Sequence, residues 1–182
     1  MNLLHHPSPK VNLAAMCIIA VCAVGLWLYE PRLYSDVFRL MLLPLGLLWL
    51  VQKRYTLLKH FIFISVVILG IAFMCKYTFS FMANHYADSL WVEHIIQIAK
   101  RPINGEFKGF PSGHTTAAFI AAAFALRYMG KKWGIFVIVL ASMVGYARVL
   151  SLWHTPTQVC AGAIFGFIGS LVLIHFINKK PQ

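Results

Sequence analysis

The 182-residue sequence predicts an all-α integral membrane protein, a six-transmembrane-helix bundle with an interfacial helical segment before the fourth span. Three observations carry that expectation. Sixty per cent of the residues are hydrophobic and only 12% charged, which leaves too little polar surface for a soluble globular domain. Apolar stretches approaching the roughly 17 to 20 helical residues needed to cross a bilayer core recur along the whole chain. The basic residues, 16 Lys plus Arg against 5 Asp plus Glu, fall in short groups between those stretches. Topology signals are spaced in this way, whereas a nucleic-acid-binding face concentrates its charge, so no nucleic-acid partner is expected.

The first span is expected over 11–29, closed by Glu30-Pro31. It lacks a small-x-small cleavage pattern and reads as a retained span. The second covers 37–51, with Pro44 tolerated because neighbouring helices can satisfy the freed carbonyl. A third runs over 57–75. In the segment that follows, Trp91, Ile95 and Ile98 form the apolar face of an interfacial helix. The fourth span is expected from His114 to just before Arg127, the fifth over 133–147 and the sixth over 156–177. Together they make 1–182 a single membrane-embedded domain. Cys17, Cys22, Cys75 and Cys160 form no CxxC pair and read as buried, unreactive thiols.

With the N-terminus inside, the cytoplasmic loops hold nine Lys and Arg, including Lys10 and Lys180, and no acid. The opposite loops hold the other seven, together with Glu30, Asp36, Asp88, Glu93 and Glu106. The positive-inside rule then puts both termini in the cytoplasm. By parity, the segments after the third and fifth spans share the external face. Those two segments carry the unusual chemistry.

Pro111-Ser112-Gly113-His114 begins the fourth span, where Ser112 can cap the helix, Gly113 lets a ligand near the backbone, and free amides offer an anion site. Upstream stand Lys100 and Arg101-Pro102, with His94 seven residues before Arg101. That spacing is two helical turns and places His94 and Arg101 on one face. Arg148 closes the fifth span, at a depth where an arginine needs a partner such as phosphate. His154 precedes a helix start with Thr155 as cap, Pro156 in the first turn and Gln158 completing a Thr-x-x-Gln capping box. Five scattered acids are too few for a carboxylate-built metal site, so no metal or cofactor is expected. Two histidines, two arginines and a helix N-terminus suit phosphoryl transfer through histidine.

Those residues make the sequence resemble the type-2 phosphatidic acid phosphatase family of membrane lipid phosphatases, whose motifs are K-x6-R-P, P-S-G-H and S-R-x5-H-x3-D. The match covers about 94–158 and supplies Arg101-Pro102, all of 111–114, and Arg148 with His154. The resemblance implies metal-independent hydrolysis of a terminal phosphate from a membrane lipid phosphate or diphosphate, with lipid A or undecaprenyl diphosphate favoured. It implies His154 as the phosphohistidine-forming nucleophile and His114 as general acid. Arg101, Arg148, Ser112 and Gly113 would hold phosphate, with the bilayer itself as the second partner. A bacterial member would lie in the inner membrane with its site on the periplasmic side. Three positions depart from the motifs: His94 stands for the lysine, with Lys100 as a second candidate; Ala147 replaces serine; Gln158 replaces the aspartate that orients the nucleophile. The last departure opens the alternative of a catalytically impaired lipid-phosphate binder. A small polar-solute transporter is the third reading, and it requires ionisable residues at mid-span, where the fourth and sixth spans carry Ala, Phe, Gly and Ile.

Overall fold

The computed structural model describes residues 9–86 and 89–179, with side chains from residue 13 onward. Asp88 and Lys180, both used in the topology reading, lie outside the described residues, as does the Lys10 side chain. Every regular element described is helical: α1 (Pro9–Tyr29), α2 (Pro31–Phe38), α3 (Leu42–Val51), α4 (Tyr55–His85), α5 (Leu90–Ile96), α6 (Gly113–Tyr128), α7 (Lys131–Leu150) and α8 (Pro156–Asn178). Four runs are long and apolar enough to cross a membrane: Pro31–Val51, Tyr55–His85, Lys131–Leu150 and Pro156–Asn178. Leu13–Tyr29 and Leu90–Ala99 are apolar but shorter.

The second apolar stretch begins six residues earlier than its hydropathy suggests. Pro31 starts α2, where its missing N–H costs nothing. The path from α2 to α3 is a 3₁₀ turn over Arg39–Met41. Pro44 cannot donate to the carbonyl of Leu40 and its ring crowds that carbonyl, which accounts for the tightened turn just upstream. The third stretch departs further, since α4 runs ten residues past Cys75 and spans about 46 Å at 1.5 Å per residue. No Gly or Pro interrupts 71–86, and Tyr77, Phe79 and Phe81 keep the extension apolar enough to remain helical.

At the centre lies α6, only 16 residues long and packed mainly against α7 and α8, with α4 also touching it. Its residues 120–125 are completely buried. Close approach by α8 depends on Gly162, where a Cβ would stand 2.6 Å from the Ser112 carbonyl oxygen. At the far end of the bundle from α6's first turn, the Trp49 and Phe61 rings lie 4.9 Å apart, and Phe61 lies 4.9 Å from Phe124. Helix α2 is fixed to α7 by the Tyr34 hydroxyl, which donates to the Leu140 carbonyl at 2.9 Å; such a bond is worth about 1 kcal/mol. The outer surface is apolar, with Leu28, Val66, Phe73 and Ile164 all exposed, as suits helices with lipid on one side. Cys17, Cys22 and Cys160 lie on that surface and Cys75 is half-buried, so the expectation of four buried thiols fails.

Candidate active site

One end of the bundle holds an open cavity of about 300 Å³ lined by Arg32, Asp36, Lys76, Arg101, Gly113, His114, Arg148, Trp153 and His154. The two segments that parity places on one face meet here. Ile103 N–H donates to the Leu152 carbonyl at 3.0 Å, tying the loop before α6 to the loop before α8.

His154 precedes α8 and is only 3% exposed. The capping box expected at the helix start is present: Gln158 N–H donates to Thr155 Oγ1 at 3.3 Å, and Thr155 N–H donates to Gln158 Oε1 at 3.2 Å. Gln158 does more than cap. Its Nε2 donates to the carbonyls of Ile98 and Lys100, both at 2.9 Å, and its Oε1 lies 3.0 Å from His154 Nδ1. Turning the amide over would aim its oxygen at two carbonyls and its NH2 at the Thr155 N–H, so the orientation shown is the only one that satisfies every partner. His154 Nδ1 therefore donates, and Nε2 keeps its lone pair. The side chain fits only because residue 109 is glycine: a Cβ there would lie 2.5 Å from Gln158 Oε1 and 2.7 Å from the Ala99 carbonyl oxygen. Burial, and next the Lys76 ammonium, push the His154 pKa down to about 3. The ring is neutral at physiological pH, the form able to attack phosphorus.

His114 occupies the first turn of α6 and is held differently. Its Nε2 lies 2.9 Å from Asp36 Oδ1 and 3.0 Å from Arg39 Nη1. Asp36 Oδ1 is also 3.7 Å from Arg148 Nη1. Ser112 stands at the N-cap position, but its hydroxyl makes no capping bond. Instead it accepts from Thr115 Oγ1 at 3.0 Å, fully buried and outside the cavity lining. Gly113 does line the cavity.

Trp153 organises the cations, with the guanidinium carbons of Arg32, Arg101 and Arg148 lying 5.3, 5.4 and 5.2 Å from its ring centroids. Arg101 also pairs with Glu106 Oε2 at 3.2 Å. Among the described residues, Arg101 Nε, Arg148 Nε and Trp153 Nε1 are buried without a hydrogen-bond partner. All three belong to side chains that line the one cavity.

His94 and Lys100 lie outside this cavity. Helix α5 stops at Ile96, a 3₁₀ turn covers Gln97–Ala99, and Lys100 is extended, so the seven-residue spacing is not helical and does not align His94 with Arg101. His94 is exposed, and the Lys100 ammonium lies 5.9 Å from the Phe107 ring. The lysine at the cavity is Lys76, from the unexpected extension of α4, donating to the Lys108 carbonyl at 2.9 Å. Sequence reasoning also missed Asp36, Arg32, Arg39 and Trp153. An available signal was Arg32, Asp36 and Arg39 at helical spacing beside an apolar span.

A family model described as the PAP2 superfamily matches residues 66–182. Among similar proteins, a lipid A 4'-phosphatase of Helicobacter pylori is 30% identical over 133 residues, which are 73% of this chain and 64% of that protein. A probable lipid phosphate phosphatase 4 of Arabidopsis thaliana is 34% identical over 92 residues, 42% of this chain and 30% of that one. The bacitracin transport permease protein BcrC of Bacillus licheniformis is 26% identical over 137 residues, 75% of this chain and 66% of its own length. The chain thus spans less than two thirds of the first two. No solved structure matches.

Proposed function

The chain belongs to the PAP2 superfamily, and from that premise we propose that it removes the terminal phosphate of a membrane lipid phosphate or diphosphate, without a metal, through a phosphohistidine on His154. The observation that carries this reading is one cavity holding a neutral histidine of fixed tautomer, a second histidine, and cations that include Lys76, Arg101 and Arg148. His154 Nε2 attacks phosphorus as the bond to the leaving oxygen breaks, and His114 gives that oxygen its proton. Lys76, the two guanidinium groups and the Gly113 amide bear the charge of the transferring phosphoryl group. Water then attacks the phosphohistidine, gives its proton to His114, and frees phosphate.

Gln158 supports an active enzyme over an impaired binder, because the amide supplies the orienting acceptor for His154 while every one of its own hydrogen-bonding groups is engaged. The gathering of ionisable side chains at one end of the bundle weighs against a transport path. Lipid A and undecaprenyl diphosphate remain the favoured substrates, the first in keeping with the name of the Helicobacter pylori relative. We place the protein in the bacterial inner membrane, with α1 and α6 also crossing so that the passes number six, both termini cytoplasmic and the cavity periplasmic.

Phosphate release by the purified protein in detergent with excess EDTA, across a panel of those lipids and phosphatidic acid, tests the reaction. Release that persists in EDTA and vanishes in His154→Ala is expected. Release that EDTA abolishes, or that His154→Ala retains, sinks the proposal.

A further inference from the structure

We propose that helix α2 and the turn after it form a two-state seat for the general acid, with Asp36 holding His114 when its Nε2 bears a proton and Arg39 holding it when Nε2 is bare. The inference rests on the reaction proposed above and assigns residues outside the three motifs. Its basis is a conflict at one atom. Nε2 lies 2.9 Å from a carboxylate oxygen and 3.0 Å from a guanidinium nitrogen, yet a ring nitrogen either donates or accepts. One partner therefore serves each protonation state. An atom that must give up a proton in one half-reaction and regain it in the next needs such a pair, because a fixed acceptor alone would leave the spent, neutral ring without a partner.

The placement follows from the local chain. Arg32, Asp36 and Arg39 fall at helical spacing, and the 3₁₀ turn over Arg39–Met41 carries Arg39 to the same ring as Asp36. The Asp36 side chain is 39% exposed and that of His114 19%, so a leaving oxygen can reach the ring and displace the carboxylate. In the forward step the Nε2–H bond breaks and an O–H bond forms on the departing oxygen, which keeps the electron pair of the broken P–O bond. His114, now neutral, accepts from Arg39. When water attacks the phosphohistidine, Nε2 takes the water proton and returns to Asp36. Asp36 acts through His114 and is a positioning residue.

The experiment compares Asp36→Asn with wild type on two probes, phosphatidic acid, whose alkoxide leaving group needs a proton, and 4-nitrophenyl phosphate, whose phenolate needs little. We expect kcat on phosphatidic acid to fall about 10- to 100-fold, part of what a general acid contributes, and kcat on the aryl ester to stay within about threefold. Asp36→Glu should recover part of the loss. In a His114→Ala background, Asp36→Asn should cost nothing further. Equal losses on both probes would mean a structural role and overturn the inference alone. Faster turnover with tighter inhibition by inorganic phosphate would also overturn it, marking Asp36 as a competitor for the phosphate position. A wild-type protein that releases phosphate from neither probe overturns this inference, and one that also releases none from lipid A or undecaprenyl diphosphate overturns the reaction with it.

Discussion

His154 and His114 line the same cavity and are held by opposite kinds of group. His154 meets an uncharged amide whose every hydrogen-bonding position is used, and it is buried and neutral. His114 meets a carboxylate and a guanidinium at one nitrogen and is more open. The difference matches two chemical duties. A nucleophile must present one lone pair in one direction at all times, which an amide locked by two backbone carbonyls achieves while favouring imidazolium less than burial and the Lys76 ammonium oppose it. A group that cycles through protonation needs a partner for each state.

The largest expected effect comes from making the two environments alike. Gln158→Glu places a carboxylate on His154, as the family motif does with aspartate, yet we expect kcat to fall about 100-fold, because a misplacement of about 1 Å at a reacting group costs that much. The introduced carboxylate, if ionised, would aim an oxygen at the Ile98 and Lys100 carbonyls, and its protonated form could satisfy only one of them. The extended chain leading to Arg101 would shift in either case. Thermal unfolding should show a loss of about 1 to 3 kcal/mol, the cost of leaving buried groups unpaired. A faster enzyme would instead mean that the missing carboxylate limits the chemistry.

Lys76→Met tests the electrostatic side of the comparison with a smaller effect. Loss of one of the four cations that line the cavity should raise KM about tenfold and change kcat less. The same substitution removes the second cause of the low His154 pKa. Because that pKa is about 3, the ¹⁵N signals of His154 should stay those of a neutral ring from about pH 8 down to about pH 5 in the wild type. In Lys76→Met, protonation should begin at a higher pH, moving toward the ordinary value of about 6.5. Signals of an imidazolium at about pH 6 in the wild type would contradict the neutral nucleophile.

What the sequence makes legible divides along the same line. Ser112 makes no capping bond and lies off the cavity lining, but Arg101, Gly113, His114, Arg148, His154 and Gln158 are readable because their spacing is local and the Thr155–Gln158 capping box is specific to a helix start. The partners of His114 are not: Asp36 lies 78 residues away, and no periodicity links the two. Helix boundaries differ for a related reason. Hydropathy ends a span where a charge appears, and so assigns Arg32, Asp36 and Lys76 to loops. In the fold these charges remain on helical turns because they share a polar cavity, and a helix can continue past the apolar zone when its polar side chains have somewhere to go. Residues 94–101 differ in the opposite direction, since a spacing of seven suggests helix where the chain leaves helical geometry after Ile96.

That last difference gives the smallest predicted effect and the sharpest test of placement. If either His94 or Lys100 replaced the family's lysine, its removal would cost about as much as the loss of any phosphate-facing cation. Both lie away from the cavity, and Lys76 occupies it. His94→Ala and Lys100→Ala should therefore leave kcat/KM within about twofold, the scale of a screened surface charge. The Lys100 backbone carbonyl holds Gln158, but an alanine keeps that carbonyl, so the side chain alone is tested. A rise in KM of about tenfold from either substitution, with Lys76→Met silent, would place the phosphate nearer α5 and require the cavity between α2 and α7 to serve another purpose.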